Sequence, residues 1–438
     1  MKSSTATRLL AGAAVLLLPA LVSAQDLTSI QPAPEYSRGF NVAVRERPHP
    51  EWAPIGVHAG SFLLQPEVYG GVTLTDNEQD LSSGGKSDVI FSVDPRLNFS
   101  SDWSRHGLAG GVWYRRNQNT RVTSDSSNEY GLNTRGKLDI SGDLILVGRV
   151  EVSHFADPSS DPDAPVNRSR RAMYDRDLGQ VTLTKNLPRL QLQGVLNYLN
   201  MDYDSVPLVG GGVADLSARN SRYENAVGKV TYSISPELGF FVGALADKTT
   251  RPRVGAFNQN SSGFTLGGGA DFDLSRLARG EVQIGYYRES YDQTGLSSDA
   301  GLNVQADIQY FPTQLTTMNF SLSRTALTNA RNTAAALTQN NNVAGAPGGS
   351  ALSGGVTVDH ELLRNLILSG SVAASKSDYT GIDRRDRSLA ATAGATYLMN
   401  RHIGLDLSYQ HLSFDSSGLN ARRSYDENRL WLNMRFSY

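Results

Sequence analysis

The chain ends in Arg429-Leu430-Trp431-Leu432-Asn433-Met434-Arg435-Phe436-Ser437-Tyr438, a stretch whose apolar residues recur at every second position. Leu430, Leu432, Met434, Phe436 and Tyr438 share one phase, and Arg429, Trp431, Asn433, Arg435 and Ser437 share the other. Successive side chains of a strand point to opposite faces, so this pattern makes a ribbon with one apolar and one largely polar side. Lipid against the first face and water against the second would satisfy both. Lipid offers the backbone no hydrogen bonds, so such a strand must sit in a sheet that closes on itself. Soluble sandwiches also alternate, and one segment does not separate the two.

Working back from the C-terminus, the same period recurs. Leu302, Val304, Ala306, Ile308 and Tyr310 alternate with Asn303, Gln305, Asp307 and Gln309. Phe264, Leu266, Ala270, Phe272 and Leu274 alternate with Thr265, Asp271 and Asp273. The candidate strands begin at 63–75 and end at 424–438, about eighteen in all with sixteen as the alternative count. Their connectors alternate between short and long. Ser141-Gly142, Leu187-Pro188, Pro236 and Pro312 mark short ones; 157–171, 204–220 and 328–350 are long and rich in Gly, Asn, Ser, Pro and charge. Bacterial outer-membrane barrels keep tight turns at the periplasmic end and long loops outside. A sandwich has no reason to do so. The expectation is therefore an all-β fold, a transmembrane antiparallel β-barrel over residues 61–438. Tyr232, Tyr310 and Tyr397 fall near short turns on the apolar phase, where the inner membrane interface suits an amphipathic ring.

The other end of the chain agrees on location. Lys2 and Arg8 precede an apolar run from Leu9 to Val22, and Val22-Ser23-Ala24 offers small residues before a cleavage point. Residues 1–24 read as a secretory signal peptide. Residues 25–60 carry Pro32, Pro34, Pro48, Pro50 and Pro54 without an apolar period, and read as a short periplasmic N-terminal extension. The expected destination is the outer membrane of a Gram-negative cell. The partners would be its lipid and lipopolysaccharide and the machinery that inserts barrels. Phe436 and Tyr438, aromatic residues closing the last strand, read as the assembly signal for that machinery.

Composition removes several functions. Among the 438 residues, Lys and Arg number 41 against 43 for Asp and Glu, so no broad basic field recruits nucleic acid. There is no cysteine, hence no disulfide, thiolate metal site or acylated cysteine. The seven histidines are scattered without metal-type spacing, and no catalytic constellation emerges; neither an enzyme nor a cofactor nor a metal is expected. Asp157, Asp161 and Asp163 form an acidic cluster of a kind that holds Ca²⁺, but without an EF-hand glycine or a twelfth-position glutamate they read rather as a solvated loop. Arg168, Arg170 and Arg171 read equally as a charged loop or as partners for lipopolysaccharide phosphates. Gly267 to Gly269 lie mid-strand, where glycine permits close packing or a bulge.

The water-facing phase supplies the candidate functional residues. Trp113, Arg115, Arg135, Lys137, Asp139, Arg149, Glu151, Asp271, Asp273, Tyr287, Asp307, Trp431 and Arg435 are the expected lumen-lining set. Both charge signs occur among abundant Asn, Gln, Ser and Thr, which suits a hydrated, largely neutral solute. Trp113, Tyr287 and Trp431 offer aromatic faces to sugar rings. Eighteen strands enclose more space than side chains fill.

The junction from Arg45 to Asn77 carries one resemblance. Arg47-Pro48, Pro50, Pro54, Gly56, Gly60-Ser61-Phe62, Pro66 and Asp76-Asn77 resemble the start of the putative β-barrel porin 2 family. Thr75-Asp76-Asn77 departs from it, since an aromatic or a second acidic residue is expected where Thr75 stands before Asp76 and that asparagine. That family is similar to barrels found with exopolysaccharide and capsule export systems. The resemblance implies a channel passing a secreted polysaccharide, with periplasmic export proteins as partners. A general diffusion porin is the alternative; an outer-membrane enzyme and a purely structural barrel rank behind it.

Overall fold

A computed structural model describes residues 41–158, 167–253, 258–274, 277–327 and 348–438. Eighteen long strands form one closed antiparallel barrel. They are β2 (Phe62–Thr75), β3 (Asp88–Ser101), β4 (Gly107–Asn119), β5 (Ser127–Asp139), β6 (Leu144–Ala156), β7 (Met173–Asn186) and β8 (Leu190–Tyr203). Then come β11 (Ser221–Ser233), β12 (Leu238–Thr250), β13 (Ser261–Leu274), β14 (Ala278–Tyr291), β15 (Asp299–Thr313), β16 (Thr316–Leu327) and β17 (Gly348–Leu363). The ring ends with β18 (Leu366–Thr380), β19 (Arg385–Leu398), β20 (Ile403–Ser417) and β21 (Tyr425–Ser437), which pairs with β2 to close it. A short β1 (Val57–Ala59) folds back on β2, and β9 (Val206–Pro207) with β10 (Val213–Ala214) makes a small hairpin in the loop after β8. No helix among the described residues is long and apolar enough to cross a membrane; strands do the crossing.

Alternation decides which residue faces where. Along β11, Tyr223, Asn225, Val227, Lys229 and Thr231 are buried inward, while Arg222, Glu224, Val230 and Tyr232 are exposed outward. The outward phase of the whole ring is apolar: Val68, Leu132, Leu196, Val242, Ile284, Val372 and Leu432 are each more than two-fifths exposed. On a soluble protein such a continuous apolar belt would aggregate; in lipid it is the solvated surface. Tyr232, Tyr310 and Tyr397 lie on this outer face beside the turns 234–237, 314–315 and 399–402.

Residues 41–54, Tyr438 and the short turns share one end of the barrel, and the loops 76–87 and 204–220 share the other with the outer ends of β6, β7, β16 and β17. Two details differ from the sequence expectation, and a third chooses between its alternatives. The connection 381–384 is as short as an inner turn, because β18 runs on to Thr380 and β19 already begins at Arg385, beyond their apolar pattern by two residues and one. Pro312 is no connector: β15 continues to Thr313 through a register shift between Tyr310 and Thr313. A proline cannot donate to the ladder, and an irregularity is where a strand tolerates it. Gly267 to Gly269 make no bulge, since their register is continuous with both neighbours. A Cβ at Gly269 would instead collide with the Val282 carbonyl and the Phe241 ring, so close packing is the reason for glycine.

Candidate functional site

The barrel interior is the one place where the polar phase of all eighteen strands converges. On β4, Trp113 packs on Phe155 with ring centres 5.4 Å apart, and the Arg115 guanidinium lies 5.7 Å from the Trp113 ring. Arg115 bonds Asp94 at 3.0 Å and approaches Glu129 at 3.6 Å, while Arg96 shares Asp94 at 2.6 Å and lies over Tyr69. Arg149 contacts Glu151 at 3.3 Å, and Arg176 contacts the same carboxylate at 2.8 Å. Arg135 stands beside Arg149 in register; it and Lys137 are exposed to the lumen, and Asp139 lies toward the inner turn near Arg105. Trp431 is half-buried and Arg435 buried on β21.

A second group lines the facing wall. Asp271, Glu281 and Asp307 are direct neighbours across β13, β14 and β15. Like charges placed opposite one another are unfavourable. Lys229 offsets them by reaching from β11 to Glu281 at 2.7 Å, its ammonium lying 3.9 Å from the Phe241 ring centre. Asp273 is fully buried and accepts a bond from Asn41 at 2.7 Å. Tyr287 is only 2% exposed. Its face is packed within the wall, so it offers no platform to a passing sugar ring, contrary to the sequence expectation.

Position in the ring gives these residues a pattern. Acidic residues concentrate on β12–β15: Asp247, Asp271, Asp273, Glu281, Glu289, Asp299 and Asp307. Nine strands away, β21 and β2–β4 carry Arg429, Arg435, Arg96 and Arg115 among four acids on the inward phase of β2, β3 and β21, Glu67, Asp88, Asp94 and Glu427. Between them, the inward phase of β16–β20 holds mostly small or uncharged groups at mid-height, among them Ser321, Thr357, Ser371, Ala373, Thr392 and Ser408. The interior thus has a negative wall, an arginine-bearing wall opposite, and a smooth hydroxyl wall along one side.

The inner mouth holds a segment whose placement the sequence does not announce. Residues 41–54 run round the rim on the lumen side. The Val44 amide donates to Thr317 at 2.9 Å, Arg45 pairs with Asp359 at 2.7 Å, and Arg47 pairs with Glu361 at 2.8 Å. Arg279 returns two bonds to the Glu46 carboxylate and one to the Asn41 carbonyl. A small cavity between this segment and β2, β19 and β21 is lined by Arg47, His49, Trp52, Gln65, Glu67 and Arg435. Proline-rich sequence without a period said only that no regular element would form. The partners, Asp359 and Glu361, lie over three hundred positions away.

At the outer mouth, buried ion pairs knit the loops together. Arg168 bonds Asp125 at 2.8 Å and Arg219 bonds Asp157 at 2.8 Å. Arg168 is therefore committed to protein rather than to lipopolysaccharide; Asp161 and Asp163 lie outside the described residues. Asn77 explains its own place in the sequence: its amide accepts from Leu81 and donates to the Leu81 and Asp426 carbonyls, pinning the loop 76–87 to β21. That loop buries Glu78 and Asp80 beside Glu427, with Arg429 and Arg171 approaching Glu78 at 3.7 and 4.0 Å. Burial raises the carboxyls of both loop residues above their ordinary range, and for Asp80 the Glu427 charge adds to it. Among the described residues, no three acidic or histidine side chains are gathered to hold a metal.

With this geometry in hand, the sequence profile described as putative β-barrel porin 2 matches residues 49–438. The chain belongs to that family. It is an outer-membrane porin-type barrel, and the resemblance seen between Arg45 and Asn77 extends to the C-terminus. Among curated proteins, none matches it in sequence. Among solved structures, it is similar to OpdO of Pseudomonas aeruginosa, at 13% identity and TM-score 0.45 over 86% of this chain and 97% of that one. It is also similar to OccAB3 of Acinetobacter baumannii (12%, TM-score 0.44, 86% and 99%) and to the siderophore receptor PiuA of the same organism (9%, TM-score 0.43, 87% and 82%).

Proposed function

We propose that this porin-family barrel is a channel through which a secreted polysaccharide crosses the outer membrane, and that it performs no chemistry of its own. The observation that carries the reading is the hydroxyl wall of β16–β20. A hydrated glycan can exchange water for Ser and Thr hydroxyls at little cost, and no fixed charge at mid-height would trap it there. Trp113, on the arginine-bearing wall, keeps an aromatic group on the inner face beside Arg115. The likeness of the Arg45–Asn77 junction to barrels of exopolysaccharide and capsule systems supports the choice of cargo. Residues 41–54, held at the inner rim, would offer periplasmic export proteins a place to dock.

A second reading, diffusion of small solutes, is favoured by the facing acidic and arginine walls, which impose a transverse field suited to orienting small dipolar molecules. Deleting the gene separates the two. The export reading expects loss of surface or secreted glycan with small-nutrient uptake intact; full glycan with slowed uptake would establish the diffusion reading instead.

A further inference from the structure

Near the outer end of β12–β15, two adjacent rungs of the inner wall carry oxygen-bearing side chains and no cation. One rung runs Asn225, Asp247, Gly263, Glu289, Asp299 across β11–β15, and the next runs Tyr223, Thr249, Ser261, Tyr291. Gly263 leaves a gap between Asp247 and Glu289. The Glu289 carboxyl occupies that gap, where a Cβ on Gly263 would collide with it, and meets the Asp247 carboxyl directly. Among the described residues neither acid has an ion-pair partner, whereas Glu281 on the same strand has Lys229.

Two buried acids facing each other without a cation are costly. The pocket around them also keeps unused oxygens. Thr249 and Glu289 are both more than nine-tenths buried, yet Thr249 Oγ1, Glu289 Oε1 and Asp247 Oδ2 have no hydrogen-bond partner among the described residues. The hydroxyl of Ser261, equally buried, lies against Glu289. Alternation puts Thr249 on the same face as Asp247, two residues on, so its oxygen belongs to the same space.

We propose that these residues form a site for a divalent cation of the calcium type, held by the carboxylates of Asp247 and Glu289 and the hydroxyls of Thr249 and Ser261, with water completing the shell. An all-oxygen, two-carboxylate set suits a hard cation that accepts six to eight flexible ligands. It lacks the imidazole and thiolate donors that select transition metals. A doubly charged ion cancels both carboxylates at once and ties β12 to β14 beneath the outer loops.

Terbium, close to calcium in size and coordination, provides the probe, because Tyr223, Tyr287 and Tyr291 stand beside the site to sensitise its emission. The full chain in detergent micelles should show saturable terbium emission that excess calcium displaces. Asp247→Asn with Glu289→Gln should weaken that binding by at least about tenfold. These near-isosteric changes remove buried charge, and heat-modifiable migration checks that the variant folds. Wild-type protein supplies an independent readout: calcium should raise its unfolding temperature relative to chelator. No saturable emission, equal binding by the double variant, or an unfolding temperature indifferent to calcium would each overturn the assignment.

Discussion

Replacing Lys229 with methionine should be among the most damaging single changes in the barrel. The ammonium sits between the Phe241 ring and the Glu281 carboxylate, and both charged side chains are less than one-tenth exposed. Methionine keeps the length and the contact with Phe241 but removes the charge. Glu281 is then left in a row with Asp271 and Asp307 without its lysine. Removing one partner of a buried pair costs about 3–5 kcal/mol, because the remaining charge stays desolvated. Neutralising both should recover most of that loss, so Lys229→Met with Glu281→Gln is expected to unfold close to wild type. Urea unfolding of the three variants and wild type in lipid, followed by tryptophan fluorescence, gives the double-mutant cycle. A single variant costing below about 1 kcal/mol, or a double variant no better than the single, would refute the view that this pair balances the acidic wall.

Other perturbations test separate parts of the account. Arginine at Val372, on the lipid face midway along β18, should cost about 2–4 kcal/mol, while arginine at the adjacent lumen-facing Ala373 should be tolerated; unfolding in lipid compares them. Deleting residues 436–438 removes the outward Phe436 and Tyr438 and the bond from the Gly56 amide to the Tyr438 carbonyl; outer-membrane levels and heat-modifiable migration should both fall sharply. Asp80 in the outer loop has its carboxyl raised by burial, so the folded protein holds a proton that the unfolded chain releases at lower pH. Stability contributed by this group is therefore highest in acid and declines as pH rises from the ordinary aspartate range toward the raised value. Asp80→Asn should remove that decline and raise the unfolding temperature at neutral pH; a lower one would contradict it.

The fold was legible because membrane strands obey a strict two-residue period, and lipid punishes any error in it. Leu430 to Tyr438 already shows both faces of β21, and the alternation of short and long connectors gives the strand count. The thirteen candidate lumen residues share the inward phase for the same reason. What the linear chain could not display was contact at long separation. Arg45 meeting Asp359, Lys229 crossing two strands to Glu281, and Tyr287 vanishing into the wall all depend on curvature, which no local pattern encodes. Pro312 misled because a proline normally ends a strand, and a register shift let this one stay.

The central claim is that one phase of every strand faces an aqueous interior, most openly along the hydroxyl wall. The absence of native cysteine makes that directly measurable. Single cysteines placed one at a time from position 368 to 375 on β18 can be exposed to a membrane-impermeant maleimide in intact outer membranes. Labelling should alternate, with positions 369, 371, 373 and 375 reacting from water and 368, 370, 372 and 374 protected by lipid. Uniform labelling, uniform protection, or the opposite phase would contradict the account.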